Sequence, residues 1–206
     1  MAAIKNIIFD LGNVLIHWDP KRVYREVFHG DEDQVDWFLQ EICPMDWNEN
    51  QDAGYPLDRA TQDRIDLYPE YEDWIRMYYG RWEEMLGGAL ESSVEILQEL
   101  KALDRFRIVA LTNWSAETFP IALERYEFLS WFEGIVVSGI EKTRKPFAEI
   151  YHICLDRFNF RAEETFFIDD NRRNIEAAQK LGIQSHLFTS AEKLRQDLIN
   201  RGLITS

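Results

Sequence analysis

The chain has 206 residues, with 23 Lys and Arg against 37 Asp and Glu, for a formal net charge of −14. Its 46% hydrophobic and 29% charged residues are ordinary globular usage for one large domain or a domain carrying an insertion, which excludes disorder and low-complexity architecture. The acidic field repels nucleic-acid phosphates and anionic lipid, and no run nears the roughly 18 apolar residues of a bilayer span, so the expected partner is a small molecule and the expected location cytoplasmic.

Ile4 to Phe9 is a short isoleucine-rich run ended by Asp10-Leu11-Gly12-Asn13, the pattern of a strand buried on both faces that stops at a polar turn. From about His17 to Leu86 no strand is predicted. Helical segments at Val23 to Phe28, Gln34 to Ile42 and Trp74 to Met85 are separated by Pro44, Gly54-Tyr55-Pro56 and Pro69. Residues 15 to 90 hold 18 acidic and 7 basic residues, and thus 11 of the 14 excess negative charges. Five of the seven tryptophans lie there (Trp18, Trp37, Trp47, Trp74, Trp82), as a small helical unit with little area to bury requires. They are read chiefly as an aromatic core, with one or two rings lining a pocket.

Further strands are predicted at Phe106 to Leu111, Gly134 to Val137, Thr165 to Ile168 and Ser185 to Phe188, alternating with helices at Val94 to Leu103, Thr118 to Tyr126, Phe147 to Phe158 and Ile175 to Leu181, the last closed by Gly182. A final helix follows Thr189, whose hydroxyl and Glu192 have capping-box spacing. Alternation of this kind implies an α/β fold: a Rossmann-like parallel sheet core with helices on both faces and an inserted all-helical cap. The core is assigned to 1–16 plus 88–206 and the cap to 17–87. Cys43 and Cys154 have no disulfide or metal-ligand spacing and are read as free thiols.

In an open parallel sheet, ligands bind beyond the carboxyl ends of the strands, where Asp10, Thr112-Asn113 and Asp169-Asp170 fall, with Lys145-Pro146 opening the helix before the fourth strand. Carboxylates meeting in one crevice repel unless a cation sits among them, and all-oxygen ligation suits Mg²⁺. Lys145 adds positive charge, and Thr112 with backbone N–H groups supplies donors for phosphate oxygens. Such a site suits a phosphoryl group.

Phe9-Asp10-Leu11-Gly12-Asn13-Val14-Leu15, Leu111-Thr112-Asn113, Arg144-Lys145-Pro146 and Ile168-Asp169-Asp170-Asn171 through Asn174-Ile175-Glu176-Ala177-Ala178 resemble, in order, the motifs of the haloacid dehalogenase superfamily. The chain most resembles the subgroup with a C1-type helical cap inserted after the first strand, which includes bacterial glucose-1-phosphate phosphatases. The resemblance implies a Mg²⁺-dependent phosphatase of a small phosphorylated metabolite, phosphosugars leading, in which Asp10 is the nucleophile that forms an aspartyl-phosphate. It further implies that Mg²⁺ is held by the Asp10 carboxylate, the Gly12 carbonyl and Asp170, with Asp169 close by or acting through water. Lys145 would pair with Asp10 and the phosphate, Thr112 and Asn113 would hold nonbridging oxygens, and Asn174 would orient the fourth motif.

One position departs from the pattern. Typical phosphatases of the superfamily carry an acid/base aspartate two residues after the nucleophile, where this chain has Gly12. Three readings follow: substrates with good leaving groups such as sugar 1-phosphates, a replacement such as His17 or a cap residue, or lost catalysis. The alternatives to a phosphatase are a metal-independent 2-haloacid dehalogenase, opposed by Asp169-Asp170, and a weakly catalytic phosphate-ligand binding protein.

Overall fold

The computed structural model describes residues 2–205. Five parallel strands form the main sheet: β1 (Asn6–Phe9), β4 (Arg107–Thr112), β5 (Ile135–Val137), β6 (Thr165–Asp169) and β7 (Gln184–Leu187), in the order β5-β4-β1-β6-β7. β1 lies at the centre, with Ile8 opposite Val109 on one side and Phe167 on the other. The chain builds outward from β1 through β4 to β5, then crosses back to add β6 and β7, so the direction of winding reverses at β1. That reversal opens a crevice at the carboxyl ends of β4, β1 and β6.

Side-chain alternation along β1 explains the two helical layers. Ile7 and Phe9 point into a core shared with α6 (Glu91–Ala102) and α11 (Ala191–Asn200), whereas Ile8 points into a second core with α9 (Ala148–Phe158) and α10 (Arg172–Lys180). Both faces are covered, so every residue of β1 and β6 is buried. The right-handed βαβ logic thus yields the Rossmann-like sheet that the alternation predicts. The final helix differs in its start: Ser190, not Thr189, is the N-cap, its hydroxyl accepting from the Lys193 N–H at 3.3 Å.

Between β1 and β4 the chain leaves and re-enters through a short antiparallel ribbon, β2 (Ile16–Trp18) with β3 (Leu86–Ala89), which periodicity did not reveal. Between these strands all regular structure is helical: α1 (Lys21–Val27), α2 (Glu32–Trp37) continued by a π-helical turn over Phe38–Ile42, α3 (Met45–Asp52), α4 (Leu57–Leu67) and α5 (Glu72–Gly80) followed by a 3₁₀ turn over Trp82–Met85. Their interior is aromatic, with Tyr24 and Phe38 rings 4.5 Å apart and Phe28 edge-on to Trp74 at 4.8 Å. This aromatic interior is continuous with the Ile7 and Phe9 side of the sheet. Helices α7 (Phe119–Arg125) and α8 (Ser138–Glu141) complete the fold. Among the described residues no helix is long and apolar enough to cross a membrane.

Candidate active site

Asp10 is the first residue beyond β1, and its N–H still extends the ladder by donating to the Ile168 carbonyl at 2.9 Å. The side chain is buried, and its Oδ1 accepts from the Leu11 N–H and from Lys145 Nζ, both at 2.8 Å. Lys145 is 1% exposed, and its three ammonium protons have three acceptors: Asp10 Oδ1, Asp169 Oδ2 at 2.7 Å and the Leu111 carbonyl at 2.9 Å. A charge this deeply buried persists only because every donor is answered. Burial works against the ammonium form, but Asp10 and Asp169 outweigh it and raise the lysine pKa.

Lys145 is carried by a turn rather than by a helix start. α9 begins at Ala148, and the cis Lys145–Pro146 peptide lies ahead of it, which corrects the expectation that Pro146 opens the helix. Asn113 fixes that turn: its Nδ2 donates to the Lys145 carbonyl and its Oδ1 accepts the Lys145 N–H, each at 2.9 Å. The Asn113 side chain is therefore engaged with the lysine backbone. Thr112 ends β4 and is fully buried beside it.

Asp169 closes β6 with no exposed surface. Its Oδ1 accepts from the Asn171 N–H at 2.8 Å, the Asn174 amide reaches both oxygens at 3.0 and 3.1 Å, and Oδ2 faces Lys145. Asn174 is held in turn through its carbonyl, which accepts from the Tyr151 hydroxyl at 2.9 Å. Asp169 is so fully engaged with protein donors that it fixes the lysine, whereas the neighbouring Asp170 is exposed at the crevice.

The ligand oxygens of Asp10, Asp169 and Asp170 all lie within 4.8 Å of one another. Burial pushes the Asp10 carboxyl up to about 7, with Asp169 and Asp170 adding to the shift and Lys145 opposing it. Burial, then Asp169, raises Asp170 as well. One buried lysine does not neutralise three carboxyl groups. Hard oxygen donors with uncompensated negative charge fit Mg²⁺, for which Asp10 and Asp170 offer ligand oxygens. At Gly12 no atom beyond its two chain neighbours lies within 4 Å of where a Cβ would stand.

A cavity of about 80 Å³ opens beside Gly12 and Asn113, reaching under the inserted helices to Asn48 and Asp52 of α3. Trp18, Trp82 and Trp114 form its aromatic walls, so two of the five inserted tryptophans face a pocket while Trp47 and Trp74 pack into the core. His17 is exposed on β2 and borders a separate open groove with Leu90 and Ser190. Sequence reasoning missed Asp52 and Asn48, because α3 has no apolar stripe to reveal a helix and its buried residues are Asn48 and Gln51.

Residues 50–188 match the family model described as "Haloacid dehalogenase-like hydrolase". The sesquiterpene phosphatase astK of Aspergillus oryzae is 35% identical over 188 residues, covering 88% of this chain and 88% of that protein. The drimenol cyclase drtB of Aspergillus calidoustus is 23% identical over 96% of this chain, which spans only 36% of the cyclase's length. Among solved structures, a HAD family enzyme of Bacteroides thetaiotaomicron in complex with magnesium and inorganic phosphate is 22% identical, covers 91% of this chain and 95% of that one, and superposes with a TM-score of 0.64. The chain belongs to the haloacid dehalogenase-like hydrolases.

Proposed function

We propose that the chain is a Mg²⁺-dependent phosphatase that hydrolyses a small phosphomonoester through an aspartyl-phosphate on Asp10. The observation that carries this reading is the Asp10–Lys145–Asp169 arrangement with Asp170 beside it: a nucleophilic carboxylate, a buried cation and a pair of further carboxylates at one strand-end crevice. The phosphatase among the relatives and the magnesium and phosphate bound by the structural neighbour support it. When bound, Mg²⁺ supplies positive charge that lets an anionic nucleophile approach an anionic phosphate.

An Asp10 carboxylate oxygen attacks phosphorus and the bond to the ester oxygen breaks; water then attacks the aspartyl-phosphate, releasing phosphate and restoring Asp10. Lys145 keeps Asp10 oriented and offsets charge on the transferring phosphoryl group. Thr112, buried at the end of β4, holds a nonbridging phosphate oxygen in this reading. Residues 17–87 act as the cap over the cleft and limit water access, while 1–16 with 88–206 form the catalytic core. The acid pair argues against metal-independent dehalogenation, since uncompensated carboxylates beside Asp10 keep its pKa high and blunt it as a nucleophile.

Phosphosugars are the leading substrate class: the ring face of a sugar packs on the Trp18, Trp82 and Trp114 walls while Asn48, Ser115 and Thr118 offer groups for its hydroxyls. The same walls, with Met45, favour a second reading, an isoprenoid monophosphate, which the relation to a sesquiterpene phosphatase supports. Phosphate release from glucose 1-phosphate, glucose 6-phosphate and farnesyl monophosphate, each with Mg²⁺ and with EDTA, tests both. Mg²⁺-dependent release is expected, and release unaffected by EDTA overturns the proposal.

A further inference from the structure

Gly12 leaves the leaving-group oxygen without the usual acid, and the geometry points to Asp52, at the end of helix α3 in the inserted segment, as the general acid and base of this reaction. This rests on the phosphatase reading above. Asp52 lines the same cavity as Asn113 and as Gly12, two residues beyond the nucleophile, and its carboxyl feels the charge of the Lys145 that pairs with Asp10. The exposed His17, bordering another groove, does not reach that cavity.

Asp52 is held as a positioned group is held. Its carbonyl accepts from the Ser138 hydroxyl, which in turn accepts from the Trp114 N–H at 2.9 Å, tying the end of α3 to the loop that follows β4. Its Oδ2 accepts from Asn48 Nδ2 at 3.1 Å, and the Tyr79 hydroxyl donates to Asn48 Oδ1 at 3.0 Å, so the amide orientation is fixed. The next residues are anchored to the core as well, Lys142 Nζ donating to the Gly54 carbonyl at 3.3 Å and the Leu57 N–H to Glu117 at 2.9 Å.

The charged surroundings keep the carboxyl poised. Burial pushes Asp52 up to about 7 and Glu49 on the same helix adds to it; Arg144 and Lys145, across the cleft, and the Ser115 backbone N–H oppose it. Glu49 is itself paired with Arg144 at 2.7 Å and with Arg173. A carboxyl near neutrality suits proton transfer in both directions.

In the first half-reaction Asp10 attacks phosphorus, the P–O bond to the leaving group breaks with its electron pair on the ester oxygen, and that oxygen takes the Asp52 proton. In the second, the Asp52 carboxylate takes a proton from water as the water oxygen attacks phosphorus and the Asp10 carboxylate departs. Asp52 thereby regains its proton.

The test compares wild type with Asp52→Asn on two esters of similar shape, 4-nitrophenyl phosphate, whose leaving group needs no proton, and benzyl phosphate, whose alkoxide does. The variant is expected to lose about 10² to 10⁴ in kcat/KM on benzyl phosphate and less than about tenfold in kcat/KM on the nitrophenyl ester, because kcat/KM reports the first half-reaction alone; kcat, which includes the shared hydrolysis of the aspartyl-phosphate, should fall on both. Wild-type kcat/KM for benzyl phosphate is expected to decline above about pH 7 as Asp52 loses the proton it gives the leaving group, and the variant to lack that decline. Equal losses in kcat/KM on both esters, or none on either, overturn the inference. Should the variant fail to fold, a leaving-group series on wild type decides: values of kcat/KM nearly insensitive to leaving-group basicity support an acid, and a steep dependence overturns it. Absence of Mg²⁺-dependent turnover of either ester by wild type instead defeats the phosphatase reading itself.

Discussion

Asn113 holds Lys145 as one strand holds another, through one bond to its N–H and one to its carbonyl, both 2.9 Å. The residue that follows β4 thus sets the backbone of the lysine whose ammonium returns to the β4 carbonyl of Leu111 at 2.9 Å. Asn113→Ala removes both backbone bonds and leaves a buried lysine on an unanchored turn. Stability should fall by about 1–3 kcal/mol in urea unfolding, since each lost bond contributes about 1 kcal/mol. Turnover should fall at least tenfold, whereas a contact only with substrate would raise KM and leave stability unchanged.

Asp10→Asn removes the nucleophile while Lys145 keeps Asp169 and Leu111 as acceptors. Turnover should be undetectable with far-UV circular dichroism unchanged, and trapping with mass spectrometry should find the phosphoryl adduct only on wild-type Asp10. Retained turnover in the variant refutes the nucleophile assignment.

The Asp10 carboxyl is raised in the folded chain from an ordinary value of 3.8 to about 7. Between those values the native state binds more protons than the unfolded one, so this group's contribution is lost as pH rises toward 7. In EDTA, wild type should therefore lose more stability between pH 5 and 7.5 than Asp10→Asn does, and Mg²⁺ should narrow the gap by favouring the carboxylate. Urea midpoints at the two pH values measure this; an identical pH slope in both proteins contradicts it.

Asp170 is the member of the acidic trio with no lysine bond and with access to the crevice. Asp170→Asn should raise the Mg²⁺ concentration for half-maximal turnover by at least tenfold and alter the thermal midpoint little. A variant with an unchanged Mg²⁺ requirement removes Asp170 from the ligand set.

Gly139 sits where an added Cβ would meet the Ala116 nitrogen and lie 2.8 Å from the Trp114 carbonyl, backbone atoms that cannot swing aside. Its N–H already donates to that carbonyl at 3.1 Å. Gly139→Ala should cost about 2–3 kcal/mol by forcing the cavity wall apart, read as a lowered unfolding midpoint.

The sheet was legible because β1, β4 and β6 are buried on both faces and so must be runs of Ile, Val, Leu and Phe. The strand-end rule likewise brought Asp10, Lys145 and Asp169 together, and they are in contact. The inserted segment was less legible where its function differs from packing. α3 and α4 went unseen, α3 because it buries Asn48 and Gln51 instead of an apolar stripe. β2 and β3 are three and four residues long, too short for alternation to register. Asp52 carries no local signal, since its meaning arises only from the docking of α3 on Ser138.

Every proton on the Lys145 ammonium is already given away within the protein. It therefore acts as a fixed point of charge and not as an outstretched hand. An arriving phosphate must either accept its field from a distance or displace one of three incumbents, and Asp10 is the incumbent that the reaction itself converts into a neutral acyl oxygen. The link between lysine and nucleophile would then slacken and tighten once in each turnover, a molecular counter of the cycle that lysine ¹⁵N chemical shifts would follow.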